Sequence, residues 1–432
     1  MKWKIAAVAF TVTAGLALSA FKHSNDVNKN LRPYPNGCVF RTIMGEESSE
    51  NMAMFKTPER VATSLYRGLD WIAKAQSNNG GWGAGTHARQ DIVDPHAVDT
   101  DPATTSMVAM ALLRTGSNTK SGEYKTQLTK ATEYLLRTVE QSPDNSLNIT
   151  NLTGTQIQIK LGQNIDVILT SQFFSNLLDE IQDNPQLAAR VKKANAKCVA
   201  KIQKAQSSDG SIAGSGWAGV LQSSFAGNAL EAAQEQQIDV DTTSLRKAQD
   251  FQKKNFNSST GEVNTDMGAG VVLYSVSGSS RASAKEARRV REEMERAKKD
   301  GRLPASAPVT SENLEKIGFK PTESRSYATA YEVYESAKVT AQRDDVMSGF
   351  GNNGGEEFLS YLQTGEGMVI NKDNQWTKWY DNISGRLTKI QNEDGSWNGH
   401  HCITSPVFCT ATCLLILSVN NDVDKLIKQG AK

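Results

Sequence analysis

The sequence predicts an all-α protein of repeated helical hairpins in two layers, and three observations predict it. The first is a contrast between two neighbouring segments. In Pro58–Gln76, Val61, Leu65, Leu69, Ile72 and Ala73 share one helical face, while Arg60, Arg67, Asp70 and Lys74 share the other. That is the pattern of a helix buried along one side. Ala103–Thr115 contains SMVAMALL and is apolar nearly all round, so it must be buried on every side. An outer and an inner layer follow from that pair. The second observation is a recurring turn: QSNNGGW at Gln76–Trp82, QNEDGSW at Gln391–Trp397 and QSSDGSI at Gln206–Ile212. The third is its interval. Weaker echoes, KATEYLL at Lys130–Leu136 and RKAQDFQKKN at Arg246–Asn255, bring the repeat to roughly 50–70 residues, the mark of an array closed on itself or stacked.

Taken in order, the chain opens with Lys2 and Lys4, an apolar run from Ile5 to Leu18, and the small residues Ala17 and Ser19. This reads as a signal peptide over residues 1–20. The run is shorter than the about 20 apolar residues a helical anchor needs, and no later segment is long and apolar enough to span a membrane. The expected address is therefore periplasmic or extracellular, with an uncleaved N-terminal anchor as the alternative. Residues 21–57 are polar, hold Pro33, Pro35 and Gly37, and show no sustained period; they form an N-terminal arm ahead of a helical domain over 58–432. Lysine and arginine number 48 against 47 acids, and without Lys2 and Lys4 the balance is close to neutral. That gives no reason to expect nucleic acid or an anionic membrane surface as partner. Five cysteines is an odd number for an exported chain, so at least one is free or pairs outside it.

Six hairpins can be counted. Pro58–Gln76 pairs with Ala103–Thr115, Leu128–Val139 with Ile165–Ile181, Leu187–Gln206 with Trp217–Ala233, and Thr243–Asn255 with the short, glycine-rich Gly268–Ser277. The charged Lys285–Lys299 stands as the fifth outer helix, with Tyr327–Ala341 as its inner partner. Trp379–Gln391 and the apolar Val407–Val419 complete the set. The loop Gly83–Pro102 is long for such a hairpin and holds Asp91, Asp94, His96, Asp99 and Asp101; loops beyond about 12–15 residues are usually functional or disordered.

The stretch RGLDWIAKAQSNNGGW at Arg67–Trp82 resembles the QW repeat of squalene and terpene cyclases and of protein prenyltransferase β subunits. The likeness runs with gaps from about Arg60 to Val419. It implies the α/α toroid, inner and outer rings of helices around a central cavity, and the count of six favours a closed toroid over an open solenoid. In that family the turn glutamine ties the turn to the next helix and the tryptophan stacks against it. The resemblance further implies a cavity that binds a bulky apolar or isoprenoid ligand, and the sequence requires no cofactor. Two other classes stay open: a non-catalytic envelope binding protein, and a carbohydrate-active toroid using the Asp91–Asp101 acids.

Three constellations can carry chemistry. Asp99-Thr100-Asp101-Pro102 resembles the DxDD string with which class II cyclases protonate an alkene at the start of an inner helix, with Pro102 where the last acid should stand. An acid of that strength needs burial and tuned neighbours. Pro102 favours the other reading, in which Asp99 and Asp101 cap the helix start and stay ionised; His96 lies beside them. The second set is His400, His401, Cys402, Cys409 and Cys413. No D-x-C string exists to complete a prenyltransferase zinc site, so no metal is assigned, and a Cys402–Cys409 disulfide is expected instead. The third is the glycine loop from Gly349 to Glu357, where Glu356 and Glu357 can act as acid or base beside Tyr327 and Tyr361.

Overall fold

The computed structural model describes residues 55–351 and 353–431. The expected signal peptide and the part of the expected arm up to residue 54 lie outside the described residues. What is described is helical, with isolated β-bridges and no strand. The outer helices are α1 (Glu59–Lys74), α3 (Lys125–Gln141), α6 (Pro185–Ala205), α8 (Thr242–Lys254), α11 (Pro321–Ala341) and α14 (Trp376–Lys389). The inner ones are α2 (Pro102–Arg114), α5 (Ile165–Leu178), α7 (Gly219–Glu235), α9 (Val272–Lys299), α13 (Gly355–Asn371) and α15 (Pro406–Leu417). Three short helices, α4 (Gln156–Lys160), α10 (Ser311–Lys316) and α12 (Asp344–Met347), sit in connections, and α16 (Val423–Ala431) ends the chain.

The two classes differ as the apolar patterns require. α1 buries Val61, Leu65, Leu69 and Ile72 on one face, whereas all thirteen residues of α2 and all seventeen of α13 are buried. The inner helices pack in cyclic order, α2 on α5, α5 on α7, α7 on α9, α9 on α13, α13 on α15, and α15 back on α2.

The recurring turn joins neighbouring hairpins. Gln76 Nε2 donates to Gly80 O in its own turn (2.8 Å) and to Gln127 O on the next outer helix (2.9 Å). Gln206 Nε2 does the same with Gly210 O (3.4 Å) and Ser244 O (2.9 Å). Gln391 Nε2 reaches Gly395 O (2.8 Å) and Ser64 O (2.9 Å), so the last turn is bonded to the first helix. Gly80, Gly210 and Gly395 have positive φ, and a Cβ on each would fall 2.1–2.7 Å from the carbonyl oxygen of Lys130, Lys247 or Arg67. Only glycine admits so close an approach in that conformation. Trp82 and Trp397 are fully buried, their indole N–H groups donating to Ile72 O and Leu387 O, each at 2.8 Å.

Two elements differ from the sequence expectation. Val272–Ser277, the helical part of the expected Gly268–Ser277, and Lys285–Lys299 belong to one 28-residue helix, α9. The small residues beyond Ser277 pack within the helix: a Cβ on Gly278 would lie 2.5 Å from Gln252 Oε1, and Ser279 Oγ donates to Gln252 O (2.7 Å). In consequence Tyr327–Ala341 falls in the outer helix α11, and the fifth inner position belongs to α13. Six pairs remain. Where α9 and α11 run past the ring, Val290, Met294, Leu303 and Leu314 form a second small core.

The interior of the inner layer is occupied by paired charges towards its C-terminal end. Arg114 bonds Glu366 and Asp422, both at 2.6 Å, with all three side chains nearly buried. Arg281 pairs with Glu231 (3.2 Å), and Ser224 Oγ donates to Gln363 Oε1. The Arg114–Glu366 and Ser224–Gln363 contacts bridge helices that are not neighbours in the cyclic order, so these side chains occupy space that would otherwise be lumen. α16 packs across the ends of α9 and α13.

Replacing Trp82 by Ala should lower stability by about 3–5 kcal/mol, as truncation of a fully buried aromatic does. Urea melts measure this, and a loss below about 1 kcal/mol would mean that the turn does not secure the hairpin.

Candidate functional site

The N-termini of the inner helices meet at one end, linked by side chains that bond across them. Ala103 N on α2 donates to Asp166 Oδ1 on α5 (3.0 Å), and Asn164 N ahead of α5 to Gln222 Oε1 on α7 (2.9 Å). Gly268, just before α9, packs against Val220 on α7. Tyr274 on α9 donates its hydroxyl to Glu357 Oε1 on α13. Ile403 N, ahead of α15, donates to Glu356 Oε2 (3.2 Å). Gln156 Oε1 accepts from Thr404 N (2.8 Å) and Ser405 N (3.1 Å), while its Nε2 donates to Ala84 O (2.9 Å) beside α2.

Two acid groups stand in this belt. Asp101 is fully buried and caps α2, accepting from Thr104 N (2.7 Å), Thr104 Oγ1 (2.9 Å) and Ala84 N (2.8 Å). The capping role read from Pro102 is therefore realised. Its partner acid, however, is Asp166 rather than Asp99. Asp99 is exposed, and its backbone carbonyl lies against Gly83. Burial raises the pKa of both Asp101 and Asp166, against the bonds that favour their charged forms.

The second group is Glu356 and Glu357, in the first turn of α13 and both buried. Burial first, and then the neighbouring Glu357, push the Glu356 carboxyl up to about 8. Glu357 accepts from Tyr274 Oη, Gly354 N (2.8 Å) and Phe350 N (3.1 Å), with His401 Nε2 at 4.0 Å. Burial and Glu357 together hold the Tyr274 phenol far above its ordinary range. Glu356 is thus a carboxylic acid held neutral next to an acceptor carboxyl gripped by three donors.

Around this pair lie groups from other elements. Lys160, which ends α4, and Cys402 are close enough to act electrostatically on Glu356 or on each other. Burial and Glu356 raise the Cys402 thiol to about 11. Burial and Lys160 lower the pKa of His87, whose Nδ1 lies 3.1 Å from Gln90 Nε2, and Gln90 also donates to Cys402 O. Two exposed aromatics flank the group. Trp217 is 64% exposed with the Lys160 ammonium 4.5 Å from its ring centroid, and Phe350 is 62% exposed with its ring 5.5 Å from that of His401. Trp217 is delivered by a backbone run alongside α4: Gly216 N donates to Leu161 O (3.1 Å) and Ala218 N to Lys160 O (2.7 Å). A Cβ on Gly216 would lie 2.4 Å from Ile159 O.

Other sequence candidates lie elsewhere or act differently. His96 and His400 are exposed; His96 N bonds Asp94 Oδ1 (2.9 Å) and His400 N bonds Asn353 O (2.8 Å). Tyr327 is away from this end, in the second core, its hydroxyl accepting from Arg289 Nη1 (2.6 Å) and its ring 5.4 Å from Phe319. Asp91 pairs with Arg89 on the surface at 2.8 Å, so Asp91, Asp94, Asp99 and Asp101 are engaged separately. The expected Cys402–Cys409 disulfide is not present: both are free thiols, and Cys409 turns inward to donate to Ile403 O (3.5 Å). Cys402 instead occupies a left-handed turn, φ 59°. Among the described residues no group of three or more His, Cys, Asp and Glu is placed to hold a metal ion, and no single helix is long and apolar enough to cross a membrane.

No family model matches the chain, and no curated protein matches it. Among solved structures it is similar to the type II terpene cyclase MstE from Scytonema in its apo form, with a TM-score of 0.45 and 12% identity over 85% of this chain and 100% of that one. It is also similar to an aspartate-to-asparagine variant of MstE in complex with its substrate, geranylgeranyl dihydroxybenzoate, with a TM-score of 0.43 and 13% identity over 84% of this chain and 98% of that one.

Glu356 makes stability depend on pH. Its carboxyl is raised from 4.5 to about 8 in the folded protein, so its contribution is complete below about pH 4.5 and is lost as pH rises through about 8. Urea melts at pH 5 and pH 8.5 should show the wild type losing at least about 1 kcal/mol more than Glu356→Gln. Equal losses would contradict a neutral Glu356.

Proposed function

We propose that this chain is a QW-type α/α toroid whose binding site lies at the N-terminal end of its inner helices, and that Glu356 transfers a proton to a ligand with a broad apolar surface. The observation that carries the reading is a buried carboxyl, Glu356, which burial and Glu357 push up to about 8, on the side of the structure that exposes the rings of Trp217 and Phe350. A carboxyl with a pKa near the working pH suits general-acid catalysis, and aromatic faces suit an isoprenoid body. The sequence resemblance led to an acid at the start of α2; the acid best suited to donate opens α13 instead. The charge pair between α2 and α13 and the contact between α7 and α13 favour binding at this end over binding in a central cavity.

A second reading, a recognition protein without turnover, is favoured by the same filled interior. One experiment separates the two. Purified protein is titrated with farnesol and incubated with squalene, alongside Glu356→Gln and Trp217→Ala. The proposal expects saturable binding weakened by Trp217→Ala, and a product that disappears in Glu356→Gln while binding persists. Binding without product supports recognition alone. Absence of saturable binding, or binding indifferent to Trp217→Ala, would contradict the placement of the site.

A further inference from the structure

Lys160 is only 5% exposed. A buried ammonium is normally matched by a carboxylate, because desolvating an unpaired charge is costly. Other nearly buried cations are satisfied: Arg114 has Glu366 and Asp422, Arg281 has Glu231, Lys338 has Asp373 at 2.6 Å, and Lys201, without a carboxylate, donates instead to the carbonyls of Pro143 (2.6 Å) and Ser146 (2.5 Å). Among the described residues Lys160 has no carboxylate within ion-pair distance; it lies against the face of Trp217 at 4.5 Å and beside the Cys402 thiol, and acts at longer range on Glu356 and His87. Burial and the neighbouring Glu357 push the Glu356 carboxyl, the acid on the Lys160 side of the site, up to about 8, which limits the counter-charge it offers at neutral pH. The Lys160 amine thus lies under an exposed indole, beside a half-buried thiol, with no carboxylate at ion-pair distance.

We infer that Lys160 receives an anionic head group, a carboxylate or a phosphate monoester, of a ligand whose hydrocarbon body lies against Trp217. This rests on the proposed site and adds the polarity and direction of its ligand. Lys160 offers donors to the anion, and Trp217, 64% exposed, offers the adjoining apolar surface. Bound in this way, the head group would sit at the edge of the site near Glu356 while the body extends over the rim.

The test is calorimetric titration of the full protein with three probes of one chain length, dodecanoate, dodecyl phosphate and dodecanol, each below its aggregation concentration. At least one anion should bind about tenfold or more tightly than the alcohol, and the two anionic arms show which head group is preferred. Lys160→Met should remove that preference, and Lys160→Arg should retain most of it; circular dichroism checks that each variant is folded. Equal binding of the alcohol and both anions, or an anion preference that survives Lys160→Met, overturns the inference and leaves the apolar site standing. Failure of all three probes to bind overturns the inference together with the site.

Discussion

The rest of the structure depends on a glutamine amide that bonds two carbonyl groups at once. In each of three turns the Nε2 group satisfies the carbonyl of the turn glycine and a carbonyl on the following outer helix. The glycine's missing Cβ lets that helix come close enough, with its backbone carbonyl three residues further on filling the space. The turn therefore sets the spacing between neighbouring hairpins as well as reversing the chain. Since Gln391 reaches Ser64, the same device that spaces the hairpins also joins the last to the first.

Closure has a consequence for the interior. Six inner helices drawn together leave little room for a large lumen, and small residues deepen the contact: Gly278 and Ser279 admit α8 against α9, and Gly367 lies close to the backbone of Arg281. Polar side chains that remain inside must then pair with each other, as Arg114, Glu366 and Asp422 do. At the opposite end the helix N-termini present unsatisfied backbone donors, and acids gather there to accept from them. Asp101, Asp166, Glu356 and Glu357 are all drawn to this end by that need. Burial then acts against their ionisation, which turns helix-capping groups into candidates for acid chemistry.

Much of the fold was legible because it rests on local pattern. The contrast of α1 with α2 and the spacing from Gln76 to Trp82 identified two layers and the joining turn. The fifth pair was misread because the glycine-rich Gly268–Ser277 reads as ending at Ser277, whereas the small residues that follow, Gly278 and Ser279, pack inside one continuous helix. The site was only partly legible. Glu356 and Glu357 stood out as adjacent acids after a glycine loop, and Asp101 as a cap. Lys160, Asp166, Tyr274 and Trp217 gave no local signal: they come from three different hairpins and acquire their roles when the helix ends converge. Tyr327 was drawn in wrongly because α11 was assigned to the inner layer. The Cys402–Cys409 pairing failed because helix α15 turns Cys409 inward while a left-handed turn leaves Cys402 beside Lys160.

The central claim is that the chain closes on itself through the last turn, and hydrogen exchange of Gln391→Ala tests it most directly. If Gln391 joins the final hairpin to the first, its loss should speed amide exchange in α1 and α14 together, although the two are separated by nearly the whole described chain. Gln206→Ala should spare α1 and act on α6 and α8. Faster exchange confined to α14 and α15 in Gln391→Ala, with α1 unchanged, would contradict closure and leave an open stack of hairpins.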